Sequence, residues 1–268
     1  MPDLPLGWRT DLAVLRLSGA RITQKNGYLL VESPDNPGYH WGNFILVTSA
    51  PVTASPAECL RLFAMHFPHV EHVAIGLPTR PAPGDWERFG VVVETDDVLV
   101  SASVPPLTAL PDNYQVRELA GERDWALHQE NQLADRPAGV TPEGYASFVT
   151  SMVAARRRLV RDGHGAFFGA FQADGLAADL GIVLCPGGSA RFQNVWTLPG
   201  HRRRGLASHL LAVAAGWAAR RGAHQWVILA ESGSDAGRLY RARGFAHAGG
   251  TNYQVYRGRA WAPDPTRG

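Results

Sequence analysis

Apolar positions in the C-terminal half change period at one place. Ala190–Leu198 reads as a strand that stops at Pro199; Leu206, Leu210, Val213, Ala214 and Trp217 then recur at spacings of three and four. A helical stripe over Ser208–Gly222 follows from that spacing. Upstream, Tyr114–Leu119 is a strand, and Glu122–Leu133 and Thr141–Asp162 are helices. Thr141-Pro142-Glu143 supplies a cap and a first-turn proline. Gly165–Gln172 and Ala177–Cys185 form a hairpin around Asp174-Gly175. Gln225–Glu231 is a strand, Ala236–Arg243 a short helix closed by Gly244, and Phe245–Ala248 and Tyr253–Arg257 the last strands.

A stretch rich in proline and turn residues, Val104–Asn113, separates this half from the first. There the pattern predicts strands over Gly27–Glu32 and His40–Thr48, a helix over Ser55–Phe67 and a strand over Val73–Leu77. Trp86-Glu-Arg-Phe-Gly90 then stands where Tyr240-Arg-Ala-Arg-Gly244 stands in the second half. The matching order and distances point to an internal duplication. The first copy lacks an anion loop. Its helix opens on Ser55-Pro56-Ala57-Glu58, a capping box that occupies the free donors and adds negative charge, and Ala50–Leu60 holds no glycine or arginine. Two domains are expected, 1–110 and 111–268, the first serving as packing or as a wall of the acceptor site.

Composition narrows the class. The 268 residues are 45% hydrophobic and carry a formal charge of +2, so no global field favours nucleic acid or an acidic membrane. Two cysteines, Cys59 and Cys185, lie far apart, with no CxxC or Cys/His cluster, so neither a structural metal nor an oxidising compartment is expected. No apolar run is long enough to span a bilayer, and the first residues do not resemble a signal peptide. The expectation is a cytoplasmic protein.

The candidate chemistry sits where the strand meets the helix. The first N–H groups of a helix lack internal partners and point outward at its positive end. Gly205 permits close approach of a phosphate, Ala207 keeps the next turn small, and Arg202, Arg203 and Arg204 add charge. The loop lacks both G-x-x-x-x-G-K-[ST] and G-x-G-x-x-G. What it carries is Arg202-x-x-Gly205-x-Ala207, followed by Ala236-Gly-Arg-Leu-Tyr240-Arg-Ala-Arg-Gly244-Phe245. These resemble [Q/R]-x-x-G-x-[G/A] and A-x-x-L-Y-x-x-x-G-F of the GNAT superfamily of acyl-CoA-dependent N-acyltransferases. The resemblance covers roughly residues 114–257.

That resemblance implies an α/β (α+β) GNAT fold, a mixed and mostly antiparallel sheet flanked by helices, with a degenerate GNAT-like N-terminal half. It implies acetyl-CoA as co-substrate, no metal, and a small-molecule or aminoacyl primary amine as acceptor. It assigns Val195, Trp196 and Thr197 to backbone contacts with the acyl and pantetheine portions, and Arg202, Arg203, Arg204, Gly205, Leu206, Ala207 and Ser208 to the pyrophosphate. Tyr240 stands where the family places its general acid. Glu231, ending its strand, is the candidate base, directly or through water. Asn194 and Gln193 could orient the acceptor. One departure is Gly233, where the family often has asparagine. Tyr145, Phe148, Phe168 and Trp196 read as core, and His164, His201 and His224 as surface or structural. Neither nucleic acid nor membrane is an expected partner, and a homodimer is left open. The competing class is a non-catalytic acyl-CoA sensor, which would have no need of Tyr240.

Overall fold

A computed structural model describes residues 4–48, 55–70, 72–137, 140–173 and 175–258. Asp174 of the expected hairpin turn and residues 49–54 of the glycine- and arginine-free stretch lie outside the described residues. Most predicted elements of the second half are present. They are β6 (Gln115–Glu118), α3 (Gly121–Ala134), α4 (Pro142–Arg161), β7 (Gly165–Gln172), β8 (Gly175–Cys185), β9 (Ser189–Thr197), α5 (Leu206–Ala219), β10 (Gln225–Glu231) and α6 (Asp235–Ala242). Thr141 caps α4 by accepting from Gly144 N–H at 3.3 Å. The two expected last strands are one, β11 (Ala246–Arg257), which slips register between His247 and Thr251 instead of breaking.

The first half contains β2 (Tyr28–Glu32), β3 (Phe44–Val47), α2 (Pro56–His66) and β4 (Val73–Leu77). The strand expected from His40 begins later, at Phe44, because His40–Gly42 forms a 3-10 turn. Ser55 caps α2 through its hydroxyl, which accepts from Glu58 N–H at 3.2 Å. Three elements went unforeseen: α1 (Leu6–Leu17), β1 (Arg21–Gln24) and β5 (Val92–Ser101). Helix α1 was readable, since Leu4, Trp8, Leu12 and Leu15 recur every three or four residues and all four are buried.

Among the described residues, eleven strands form one sheet in the order β1-β2-β3-β4-β11-β5-β10-β9-β8-β7-β6. The order shows a pseudo-twofold. Antiparallel β2–β3 and parallel β3–β4 mirror antiparallel β8–β9 and parallel β9–β10. At the centre the halves exchange strands. β5, from the first half, pairs with β10; β11, from the second, pairs with β4; and β5 and β11 pair with each other. Gly90 and Gly244, at matching places, both have positive φ (69° and 92°), and the preceding Trp86 and Tyr240 are both buried.

Side-chain parity assigns the helices to faces. α5 packs with Ala166, Phe168, Ile228 and Ala230 in one core. α3 and α4 pack with Phe167 and Phe171 on the other side. α1 lies on this second side too, with Gly7 so close to β5 and β11 that a Cβ there would collide with Asn252 Oδ1 and Val98. α6 is on the α5 side, where Arg241 bonds the carboxylate of Asp97 and Ser232 Oγ donates to it at 2.6 Å. The helix that carries Tyr240 is thus fastened to a strand from the first half.

Candidate active site

The site begins where two strands part. β9 and β10 pair in parallel only from Ser189/Gln225 to Arg191/Val227. Beyond that, β9 runs on beside β8 and β10 beside β5, so their C-terminal ends diverge. A cavity of about 520 Å³ fills the gap. Val195 and Trp196 line it on one strand and Ile228 to Glu231 on the other, while Tyr240 reaches it from α6 and Asp11 from α1. The cavity therefore joins the two faces of the sheet.

A bulge shapes the β9 wall. Gly181 pairs with Gln193 and Asp179 with Trp196, so Asn194 and Val195 oppose a single residue, Leu180. Asn194 has φ +50°. Its side chain is held at both ends: Nδ2 donates to Asp179 Oδ1 at 3.0 Å, and its Oδ1 accepts from Arg156 at 3.1 Å. Arg156 also donates to His128 Nε2 at 2.8 Å, and His128 Nδ1 lies 3.3 Å from Asp179 Oδ2. Since Arg156 donates to Nε2, the imidazole proton belongs on Nδ1, facing Asp179. His128 and Asp179 are fully buried. Burial lowers the Arg156 pKa to about 10, against the opposing pull of Asp179, so it remains a cation. This buried cluster, in which Asn194 is hydrogen-bonded to both Asp179 and Arg156, sets the backbone course at Asn194–Val195, where the resemblance places acyl contacts.

The loop after β9 is a short 3-10 turn, Pro199–His201, leading to Gly205 with φ +80° as the residue before α5. A Cβ on Gly205 would meet only Ala109 O, at 3.8 Å, so glycine is wanted there for its backbone angle and not for space inside the protein. His209 N–H is the first to bond back, to the Gly205 carbonyl at 3.0 Å. The N–H groups of Leu206, Ala207 and Ser208 therefore point out of the helix end. The three arginines differ. Arg202 Nε donates to Thr197 O at 3.2 Å, and Arg204 donates to Tyr114 Oη and Gly200 O, each at 3.2 Å, so these two brace the loop. Arg203, exposed and at φ +62°, is directed to solvent. His201 has a structural partner, its Nδ1 lying 2.7 Å from Tyr114 Oη. Backbone donors and cations suit a pyrophosphate, and the strand splay suits an extended thioester arm.

Tyr240 is 5% exposed and packs edge-on to Phe245, with ring centroids 6.4 Å apart. Among the described residues nothing hydrogen-bonds its hydroxyl, and the side chain lines the cavity. Burial raises its pKa above the ordinary value, with Arg191 pulling the other way, so the phenol keeps its proton. Glu231 is exposed at the cavity rim.

The first half supplies a wall that the motifs did not reveal. Glu94 and Asp96 share the cavity face of β5, and Asp96 sits between Glu231 on β10 and Asn252 on β11. Burial lifts the Asp96 pKa to about 7; Asp11 adds to the rise, Arg191 opposes it, Glu94 adds and the hydrogen bond from Gln254 Nε2 (2.8 Å) opposes. Glu94 is raised by burial and then by Glu231. Arg191 donates to Asp11 at 2.9 Å. Trp8, Tyr39, Trp41 and Phe44 also line the cavity. The missed signal is local: Glu94 and Asp96, two apart in the run Val91–Ser101, fall on one face of a strand.

Among the described residues no helix is long and apolar enough to cross a membrane, and no group of three or more His, Cys, Asp or Glu side chains could hold a metal ion. Comparison with curated proteins gives no match. Several solved structures share the fold. A functionally unknown conserved protein from Staphylococcus epidermidis is 13% identical, with TM-score 0.71 over 89% of this chain and 94% of its own. A GCN5-related N-acetyltransferase from Kribbella flavida is 15% identical, with TM-score 0.64 over 94% and 96%. A tandem GNAT protein from the clavulanic acid biosynthesis pathway is 12% identical, with TM-score 0.53 over 95% and 94%. Residues 129–245, which hold the bulge, the loop, α5 and Tyr240, match the acetyltransferase (GNAT) family. Residues 129–245 of this chain thus form an acetyltransferase (GNAT) domain.

Proposed function

We propose that the protein transfers the acetyl group of acetyl-CoA to a primary amine of a small molecule by direct attack, with the catalytic unit at 111–268 and a first unit at 1–110 that holds no cofactor. The observation that carries this is the buried, unbonded Tyr240 hydroxyl facing the gap between β9 and β10. A sensor that only bound the thioester would not need a proton donor there. The Leu206–Ser208 N–H groups and Arg203 hold the pyrophosphate. Val195, Trp196 and Thr197 hold the pantetheine and acyl portions along β9, and backbone N–H groups at the bulge take the acyl oxygen. Tyr240 gives its proton to the departing sulfur and regains one from the attacking nitrogen. When the amine arrives as an ammonium ion, its extra proton leaves to water past Glu231 at the rim before attack.

Full-length protein with acetyl-CoA and an amine panel, read by release of free thiol, tests the reading. Tyr240→Phe removes one hydroxyl, so turnover should fall by about 10²–10⁴-fold, the usual worth of general acid catalysis, while coenzyme A affinity holds. Full turnover in the variant would refute the assignment, and loss of affinity in proportion to rate would make the tyrosine a binding group.

A further inference from the structure

Resting on that reading, we infer that the acceptor is a monocationic amine on a flat apolar body, held across the joint between the two halves, and that Asp96 of the first half removes its first proton. Tyr39 and Trp41, both half-buried, line the cavity, and Trp8 and Phe44, almost fully buried, pack against Trp41. Trp8, Trp41 and Phe44 form a triangle with ring centroids 5.7–6.4 Å apart. Aromatic faces take apolar rings and, above the ring plane, cations. The lining also carries the carboxylates of Glu94, Asp96 and Asp11. Arg191 spends its charge on Asp11 and its Nη1 on Phe192 O at 2.7 Å. Among the described residues it is the one Lys or Arg side chain lining the cavity, against the carboxylates of Asp11, Glu94, Asp96, Asp135 and Glu231, so the cavity retains negative charge. An acceptor with its own carboxylate would meet repulsion there. An ammonium ion would be attracted and would bring its nitrogen to the end of the cavity that Tyr240 reaches.

Asp96 is the carboxylate placed to act. It lines the cavity from β5, directly beside Glu231, and the hydrogen bond from Gln254 engages its Oδ2. The groups facing it are Asp11 from α1, Arg191 from β9, Glu231 from β10, Gln254 and Asn252 from β11, and Glu94 from its own strand. The step balances. The ammonium gives one proton to Asp96, and the freed lone pair forms the C–N bond as the C–S bond breaks. The sulfur takes the Tyr240 proton, and Tyr240 recovers the second nitrogen proton. Asp96 then returns its proton to solvent past Glu231. A carboxyl that titrates near neutrality is matched to this duty. The acceptor wall and the first proton acceptor thus belong to the half without the anion loop.

The test uses the full chain, acetyl-CoA, and four probes: 2-phenylethylamine, tryptamine, phenylalanine and spermidine. The two arylalkylamines should be acetylated with kcat/KM at least about tenfold above the other two. Asp96→Asn should lower kcat about 10²–10⁴-fold with coenzyme A affinity and melting temperature unchanged, and should abolish the acid limb of the rate profile near pH 7. Because Asp96→Asn could disturb the sheet centre, Gln254→Met is the second variant. It removes a hydrogen bond that favours the charged carboxylate, so the acid limb should move to higher pH. Preference for phenylalanine or spermidine, or an acid limb indifferent to both variants, overturns the inference and leaves the acetyltransferase reading standing. Failure to bind coenzyme A or to release thiol with any amine overturns both.

Discussion

Replacing Asn194 by glycine sets two local energies against each other. Asn194 holds φ +50°, a region that costs an ordinary residue about 1 kcal/mol and glycine almost nothing. On backbone strain alone the variant should be slightly more stable. The side chain, however, donates to the fully buried Asp179 and accepts from Arg156. Hydrogen bonds to charged groups are worth about 1.5–3 kcal/mol each. Losing two outweighs the relief, and the net is a destabilisation of about 2–5 kcal/mol. For a chain of this size that is a fall in melting temperature on the order of 5–15 °C. Thermal and urea melts of the full chain measure it. An unchanged or raised midpoint would refute the claim that the cluster holds the bulge. Asn194→Asp is the companion variant, with nearly the same shape but a second carboxylate facing Asp179. One of the two acids would then have a folded-state pKa raised above the ordinary carboxylate value of about 4. A raised folded pKa makes stability fall as pH rises, so Asn194→Asp should regain stability relative to wild type between about pH 7 and pH 4. A loss that does not vary with pH would refute the electrostatic account.

Calorimetry with coenzyme A should give one site per chain, and Gly205→Glu should weaken it by at least about tenfold, since ~1.4 kcal/mol of charge repulsion suffices; two equivalent sites, or binding retained in Gly205→Glu, contradicts the assignment of the loop. Residues 111–268 expressed alone lack β5, which covers the edges of β10 and β11, so they should aggregate or melt well below the full chain. Unchanged melting and turnover in that fragment would show that the exchanged strand contributes nothing.

The loop and the helix after it were legible because their physics is local. A stripe at spacings of three and four, a glycine at the helix start and three arginines all fall within twenty residues. β10 was read to the residue for a similar reason: a continuous apolar run bounded by Ala223-His224 and Ser232-Gly233. β5 was not. Its cavity face carries Glu94 and Asp96 and its other face Thr95 and Asp97, so the run shows no polar–apolar alternation. Its partners lie more than a hundred residues away, beyond any window that reads periodicity. The bulge at Asn194 left no signal, because what demands φ +50° is Asp179 and Arg156, distant in sequence and adjacent only once the fold is complete. Asp96 escaped for a related reason: its raised pKa comes first from burial in the finished sheet and then from Asp11 on α1, neither of which its own strand reveals.

The exchanged strands also set the order of events during synthesis. β4 ends the first half's own sheet with its outer edge bare until β11 arrives, and that pairing joins Val73 to Arg257. A nascent chain that has emitted its first hundred residues holds β5 with neither of its eventual neighbours yet made. Such an edge can template pairing with another copy, and closing so distant a contact is slow. The finished sheet can form only after translation reaches Arg257 and the last strand has left the ribosome. Until then the waiting half is a client for holding chaperones, and a stall in translation beyond residue 101 would expose it for longer.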